Sequence, residues 1–261
     1  MPSVMPPVDR QFVMNRLVPY LPYGVSLRHR LESQKVQCYY AHTWHCVQAT
    51  PSTLESFLIC RRHKIFKLLS MNPTIILIGP LGVGKSTVGH LLAEKLGLPQ
   101  CSVDLVRWAY YDEIDFDHAF ASQIAQSDQG IRGQLRYSEP FDAHAIERIL
   151  ADHGHGVIDF GASNSVYEDK SLLARVEDIL TPYPNVILLL PSRDLDESVA
   201  ILKTRLGRML KAKGEEINNE LFDLNEYFIK HPSSQRLAKL VIYTKDKTPE
   251  EICNEILQRL V

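Results

Sequence analysis

Eight consecutive residues carry the most specific chemistry in this chain: Gly79-Pro80-Leu81-Gly82-Val83-Gly84-Lys85-Ser86, followed by Thr87. They satisfy G-x-x-x-x-G-K-[ST], in which glycines let the backbone wrap around phosphate oxygens without Cβ clashes. Successive N–H groups and a following helix N-terminus then face the anion. Lys85 would bring a point charge to the outer phosphates, and the Ser86 hydroxyl is placed to bind Mg²⁺. Gly79, Gly82, Val83, Gly84, Lys85, Ser86 and Thr87 are the candidate nucleotide-binding residues, with ATP or GTP as ligand. A second metal candidate is Asp159, which closes the apolar run "GVID". An Asp at a strand end can reach the metal or its waters; it can equally cap the next turn.

A cradle of this kind works only between a strand and a helix, and the surrounding pattern supplies both. Apolar runs predict strands at Thr74–Gly79, Gln100–Val103, Gly156–Phe160, Asn185–Leu190 and Leu240–Thr244. Apolar spacing of three and four predicts helices in "STVGHLLAEKLG", "AHAIERILADH", "KSLLARVEDIL", "DLDESVAILKTRL" and "PEEICNEILQRL". This alternation implies an α/β fold: a three-layer, parallel five-stranded sheet with helices on both faces. No internal repeat is visible.

The chain divides by charge. Residues 1–70 hold nine Lys/Arg against three Asp/Glu, whereas 71–261 hold twenty against twenty-eight. Prolines at 2, 6, 7, 19, 22 and 51 interrupt every candidate helix of the first part. Residues 1–70 therefore read as an N-terminal extension, poorly ordered or not part of the native product, ahead of a single domain over 71–261. Cys38, His42, His45 and Cys46 match none of the usual zinc spacings. Five cysteines without a secretory pattern read as free thiols of a cytoplasmic protein. No apolar run approaches the ~20 residues that span a bilayer. A net charge of −2, and an acidic domain, argue against nucleic acid as a partner.

The stretches "IILIGPLGVGKSTVGHLLAEKLGLP" and "LVIYTKDKTPEEICNEIL" resemble the first strand, loop and helix and the last strand, turn and helix of the shikimate kinase family. The resemblance covers roughly 71–261 and implies a P-loop kinase using ATP and Mg²⁺. It implies further that Asp104 is the second Asp of the family's Asp-x-Asp, contacting the acceptor hydroxyl and taking its proton, while Ser102 stands in place of the first. A carboxylate at a strand end beside a P-loop suits that role, and helix capping would suit it too. Leu135-Arg136-Tyr137-Ser138-Glu139 resembles the family's Phe-Arg-x-x-Glu, which implies that Arg136 holds a substrate carboxylate through its planar fork.

Gly161-Ala162-Ser163 stands where the family has three glycines against the acceptor, leaving Gly161 as the surviving one. The family's second substrate Arg has Lys230 as its counterpart here. A mobile lid is implied over Thr204–Lys213, with Arg208 delivering a cation to the transferring phosphate and Arg205 or Lys203 nearer the adenine. Thr248-Pro249 resembles the turn beneath the adenine, with Pro249 packing on the base; the same two residues can start a helix.

The expected reaction is transfer of the ATP γ-phosphoryl to a hydroxyl of a small, anionic metabolite of the shikimate type. Lys85, Asp104 and Arg208 would be catalytic, Arg136, Gly161 and Lys230 would hold the acceptor, and Ser86 and Asp159 the metal. A nucleoside, an antibiotic or a polynucleotide end on the same fold is the alternative, as is an ATP-hydrolysing switch. A monomer or weak oligomer is expected.

Overall fold

The computed structural model describes residues 73–215 and 219–261. The extension read over 1–70 and the Cys38–Cys46 cluster lie outside the described residues. Five strands, β1 (Thr74–Ile78), β2 (Gln100–Ser102), β3 (Gly156–Asp159), β4 (Asn185–Leu190) and β5 (Leu240–Tyr243), form one sheet in the order β2-β3-β1-β4-β5. Every pairing is parallel. Central strands of such a sheet are covered on both faces, which explains the unbroken apolar runs of β1 and β4.

Alternate residues of those runs serve different cores. Ile76, Ile78, Val186 and Leu188 pack with α2 (Val103–Asp112), α4 (Gly130–His153) and α5 (Lys170–Leu180). Ile75, Leu77, Ile187 and Leu189 pack with α1 (Lys85–Leu96), α6 (Leu195–Lys213) and α9 (Pro249–Arg259). Three further helices, α3 (His118–Gln126), α7 (Asn219–Lys230) and α8 (Pro232–Leu237), and a short 3₁₀ turn at Ser163–Ser165 complete the described order. The three-layer, five-stranded expectation holds.

Two details differ from it. Val103, expected to end β2, is buried and opens α2 instead. The stretch expected as a lid is regular helix to Lys213, closed at Gly214, whose N–H donates to the Leu210 and Lys211 carbonyls. β1, β3 and β4 deliver their carboxyl ends to one edge of the sheet, where the loops that follow them meet.

Candidate active site

The loop after β1 is shaped by glycine. At Gly79 φ is +142°, and a Cβ there would come within 2.5 Å of the Leu189 carbonyl oxygen. Gly84, at φ +102°, precedes α1 without a side-chain cap, so the first N–H groups of that helix have no protein acceptor of that kind. Val83 is buried and anchors the turn, whereas Ser86 and Thr87 are exposed. Lys85 is folded back, its Nζ donating to the carbonyls of Gly79 (2.7 Å) and Pro80 (3.0 Å). Burial lowers its pKa, against the opposing pull of Asp104 and Asp159. Asn225 of α7 brackets the loop, accepting the Leu81 N–H at 2.8 Å and donating to the Leu81 carbonyl at 3.2 Å.

Asp159 is 2% exposed and gathers three donors: Ser86 Oγ at 3.0 Å, Gln100 Nε2 at 2.8 Å and Ser102 Oγ at 3.1 Å. One carboxylate beside one P-loop hydroxyl fits Mg²⁺, which keeps several waters and is held by one or two carboxylates together with substrate phosphates. Ser102, at the position that the resemblance gives to the family's first Asp, donates its hydroxyl to Asp159.

Beside Lys85 lies Asp104, in the first turn of α2. The N-cap position belongs to Ser102, so capping does not account for Asp104. Gly161 follows β3, and a Cβ on it would fall inside contact distance of both Asp104 Oδ1 and Asn164 Oδ1. The single retained glycine is therefore the one that lets Asp104 approach the backbone. Arg107 Nη1 stands 3.5 Å from Asp104 Oδ1. Behind Arg107 is Asp142, which accepts from Tyr111 Oη at 2.5 Å and from Asn164 Nδ2. Burial pushes Asp142 up to about 6, with Arg107 as the chief opposing influence. Burial would lower the Arg107 pKa, but Tyr111, Asp104 and Asp142 outweigh it and the result is raised.

Arg136 is half exposed on α4 and lines a recess with Arg132, Glu139, Asp142, Glu168 and Tyr227. Its Nη1 lies 3.6 Å from Glu168 Oε2. Glu139 is spent on the backbone N–H groups of Glu168 and Asp169, both at 3.0 Å. Arg132 lies 4.2 Å over the Tyr227 ring. Lys230 does not line this recess. Its ammonium pairs with Asp196 at 2.8 Å and Glu226 at 2.7 Å, and those hydrogen bonds raise its pKa. The structure thus gives Lys230 to a surface ion pair, and the second cation at the recess is Arg132.

Leu206 of α6 meets the P-loop, 3.2 Å from where a Cβ on Gly82 would lie. Arg205 is its half-buried neighbour, whereas exposed Arg208 falls about 200° around the helix, on the far face. Thr248 and Pro249 start α9 with a capping box, Thr248 Oγ1 accepting from Glu251 N.

A sequence model described as shikimate kinase matches residues 81–261. The chain belongs to the shikimate kinase family. Members of the family are ATP-dependent phosphotransferases with a hydroxyl acceptor, and this chain is a kinase of that type. Mg²⁺ is typical of the family. A curated shikimate kinase of Streptomyces coelicolor is 29% identical over 187 residues, 71% of this chain and 94% of its own length. One from Enterococcus faecalis is 25% identical over 190 residues, 72% of this chain and 98% of its own. Among solved structures, a shikimate kinase from Acinetobacter baumannii in complex with shikimate aligns with TM-score 0.44 and 19% identity, over 71% of this chain and 91% of that one. A gluconokinase from Sinorhizobium meliloti aligns with TM-score 0.45 and 17% identity, over 71% and 90%. No described helix is long and apolar enough to cross a membrane.

Proposed function

We propose that the chain transfers the γ-phosphoryl group of ATP to a hydroxyl of a small carboxylate-bearing polyol, with shikimate as the first acceptor to test. The observation that carries this reading is the meeting of Lys85, Asp104 and Gly161 at one sheet edge, with the arginine-lined recess beside α4. The shikimate kinases among its relatives support the choice of acceptor.

In this reading the glycine loop and the start of α1 cradle the phosphates, and Lys85 exchanges its two carbonyl partners for phosphate oxygens. Ser86 and Asp159 would hold Mg²⁺, which neutralises charge on the phosphate oxygens when bound. Asp104 accepts the proton of the attacking hydroxyl, so that an alkoxide-like oxygen forms its bond to phosphorus as the bond to the ADP oxygen breaks. Arg136 and Arg132 orient the acceptor through its carboxylate. Arg205, beside the P-loop contact, and Arg208, if α6 turns, would offset charge on the transferring group. Pro249 would pack on the adenine.

The test is ADP release with Mg·ATP, alone and with shikimate, gluconate and a panel of hydroxylated acids, nucleosides and sugars. Saturable stimulation by shikimate is the expected result. Stimulation only by a nucleoside or a neutral sugar would refute the carboxylate reading, and slow release that nothing stimulates would refute the acceptor site altogether.

A further inference from the structure

We propose that Arg107 is the positioning residue of the acceptor site, holding the Asp104 carboxylate over Gly161 where the hydroxyl proton is to be taken. This rests on the assignment of Asp104 as proton acceptor. Asp104 is an exposed-edge side chain, 40% accessible, on the first turn of a helix. Left alone, its carboxylate would turn into solvent. Among the described residues, its direct ion pair is with Arg107, one helical turn on.

Arg107 is itself fixed from three directions. Its guanidinium lies 4.7 Å over the Trp108 ring and 5.9 Å from the Tyr111 ring, and only 19% of the side chain is exposed. Asp142 of α4 supplies the buried counter-charge and is pinned in turn by Tyr111 and by Asn164 from the turn after Gly161. The helix that carries Asp104, the helix that lines the recess and the turn after Gly161 therefore meet at the Asp142 carboxylate, whose charge acts on the Arg107 guanidinium.

Stability does not explain this arrangement. Arg107 Nε and Asn164 Oδ1 are both buried without hydrogen-bond partners, a cost that apolar side chains of similar shape would avoid. What the guanidinium provides is direction: one carboxylate held at one angle against a backbone that has no Cβ. Orientation of a catalytic group by a locked neighbour is a recurrent requirement, because misplacement by about 1 Å costs about 100-fold in rate.

The experiment compares Arg107→Met and Arg107→Lys in the full chain. ADP release with Mg·ATP and shikimate gives kcat and both KM values. For Arg107→Met we expect kcat to fall about 100-fold with the KM for ATP unchanged. Arg107→Lys, which keeps the charge but not the fork, should recover about a tenth of the parental kcat. An unchanged kcat in Arg107→Met overturns the proposal, as does a loss of ATP binding in step with kcat in both variants. A second arm needs no acceptor: the denaturation midpoints of Arg107→Met, Asp104→Asn and the double variant. The effect of Arg107→Met on the midpoint should be less destabilising in the Asp104→Asn background than in the parent, and strict additivity overturns the proposal. If the parent is stimulated by no compound, the acceptor reading falls while this cycle still decides whether Arg107 holds Asp104.

Discussion

The two ends of the site are built from different material. At the nucleotide end, a run of eight residues makes the cradle from its own backbone, and Asp159 joins it through Ser86. At the proposed acceptor end, Asp104, Arg107, Asp142, Asn164 and Arg136 come from two helices and a turn, and each is placed by another side chain. A backbone site tolerates sequence drift around it because its donors belong to every residue type. A side-chain site can be re-cut one residue at a time.

The contrast can be broken by substitution. Asp104→Asn should lower phosphoryl transfer by about 10²–10⁴-fold while calorimetric ATP affinity stays at the parental value. A parallel loss of ATP affinity would mean that the two ends are not separable. Lys85→Met should cost about 10²–10³ in kcat and also weaken ATP binding, since the charge lost is the one meant for the phosphates. Gly161→Ala puts a methyl against Asp104 and should lower the acceptor-dependent rate about 100-fold, with basal ADP release unaffected. Full activity there would show that Asp104 works from another position.

The smallest effect concerns stability rather than rate. Asp142 sits at about 6 when folded, above the ordinary unfolded value near 4. The folded protein therefore keeps a proton that the unfolded chain releases. The contribution of Asp142 is full below about pH 4 and declines as pH rises through about 6. Asp142→Asn should flatten that part of the stability profile, read from denaturation midpoints at intervals across it; an unaltered slope would mean that another group titrates there.

How far the sequence could be read follows the same division. β4 was legible to the residue because a fully buried parallel strand is an uninterrupted apolar run. β2 was overextended by Val103, whose apolar character fits a buried first helical turn equally well. The 24-residue helix α4 was recognised only from Ala143, since Pro140 and Gly133 break the pattern upstream. Arg132 and Arg136, four residues apart, were thereby not seen as one helix face. Arg107 left a faint signal, a lone charge among Val106, Trp108 and Tyr111, three residues past Asp104. Asn164 and Asp142 left none, because their roles exist only when the turn after β3 meets α4. The pairing of Lys230 with Asp196, thirty-four residues upstream, left no local signal either.

Asn225 joins the two ends mechanically. Its amide clasps both polar backbone atoms of Leu81, while Tyr227 and Phe228, on the same helix, form part of the recess wall. A molecule that settles in the recess and shifts α7 thus pulls on the phosphate loop, and a nucleotide that tightens the loop pulls back. Such traffic is symmetric by thermodynamic necessity: whatever factor one ligand adds to the affinity of the other is returned in equal measure. The helix is in this sense a tie-rod between the phosphate loop and the recess wall.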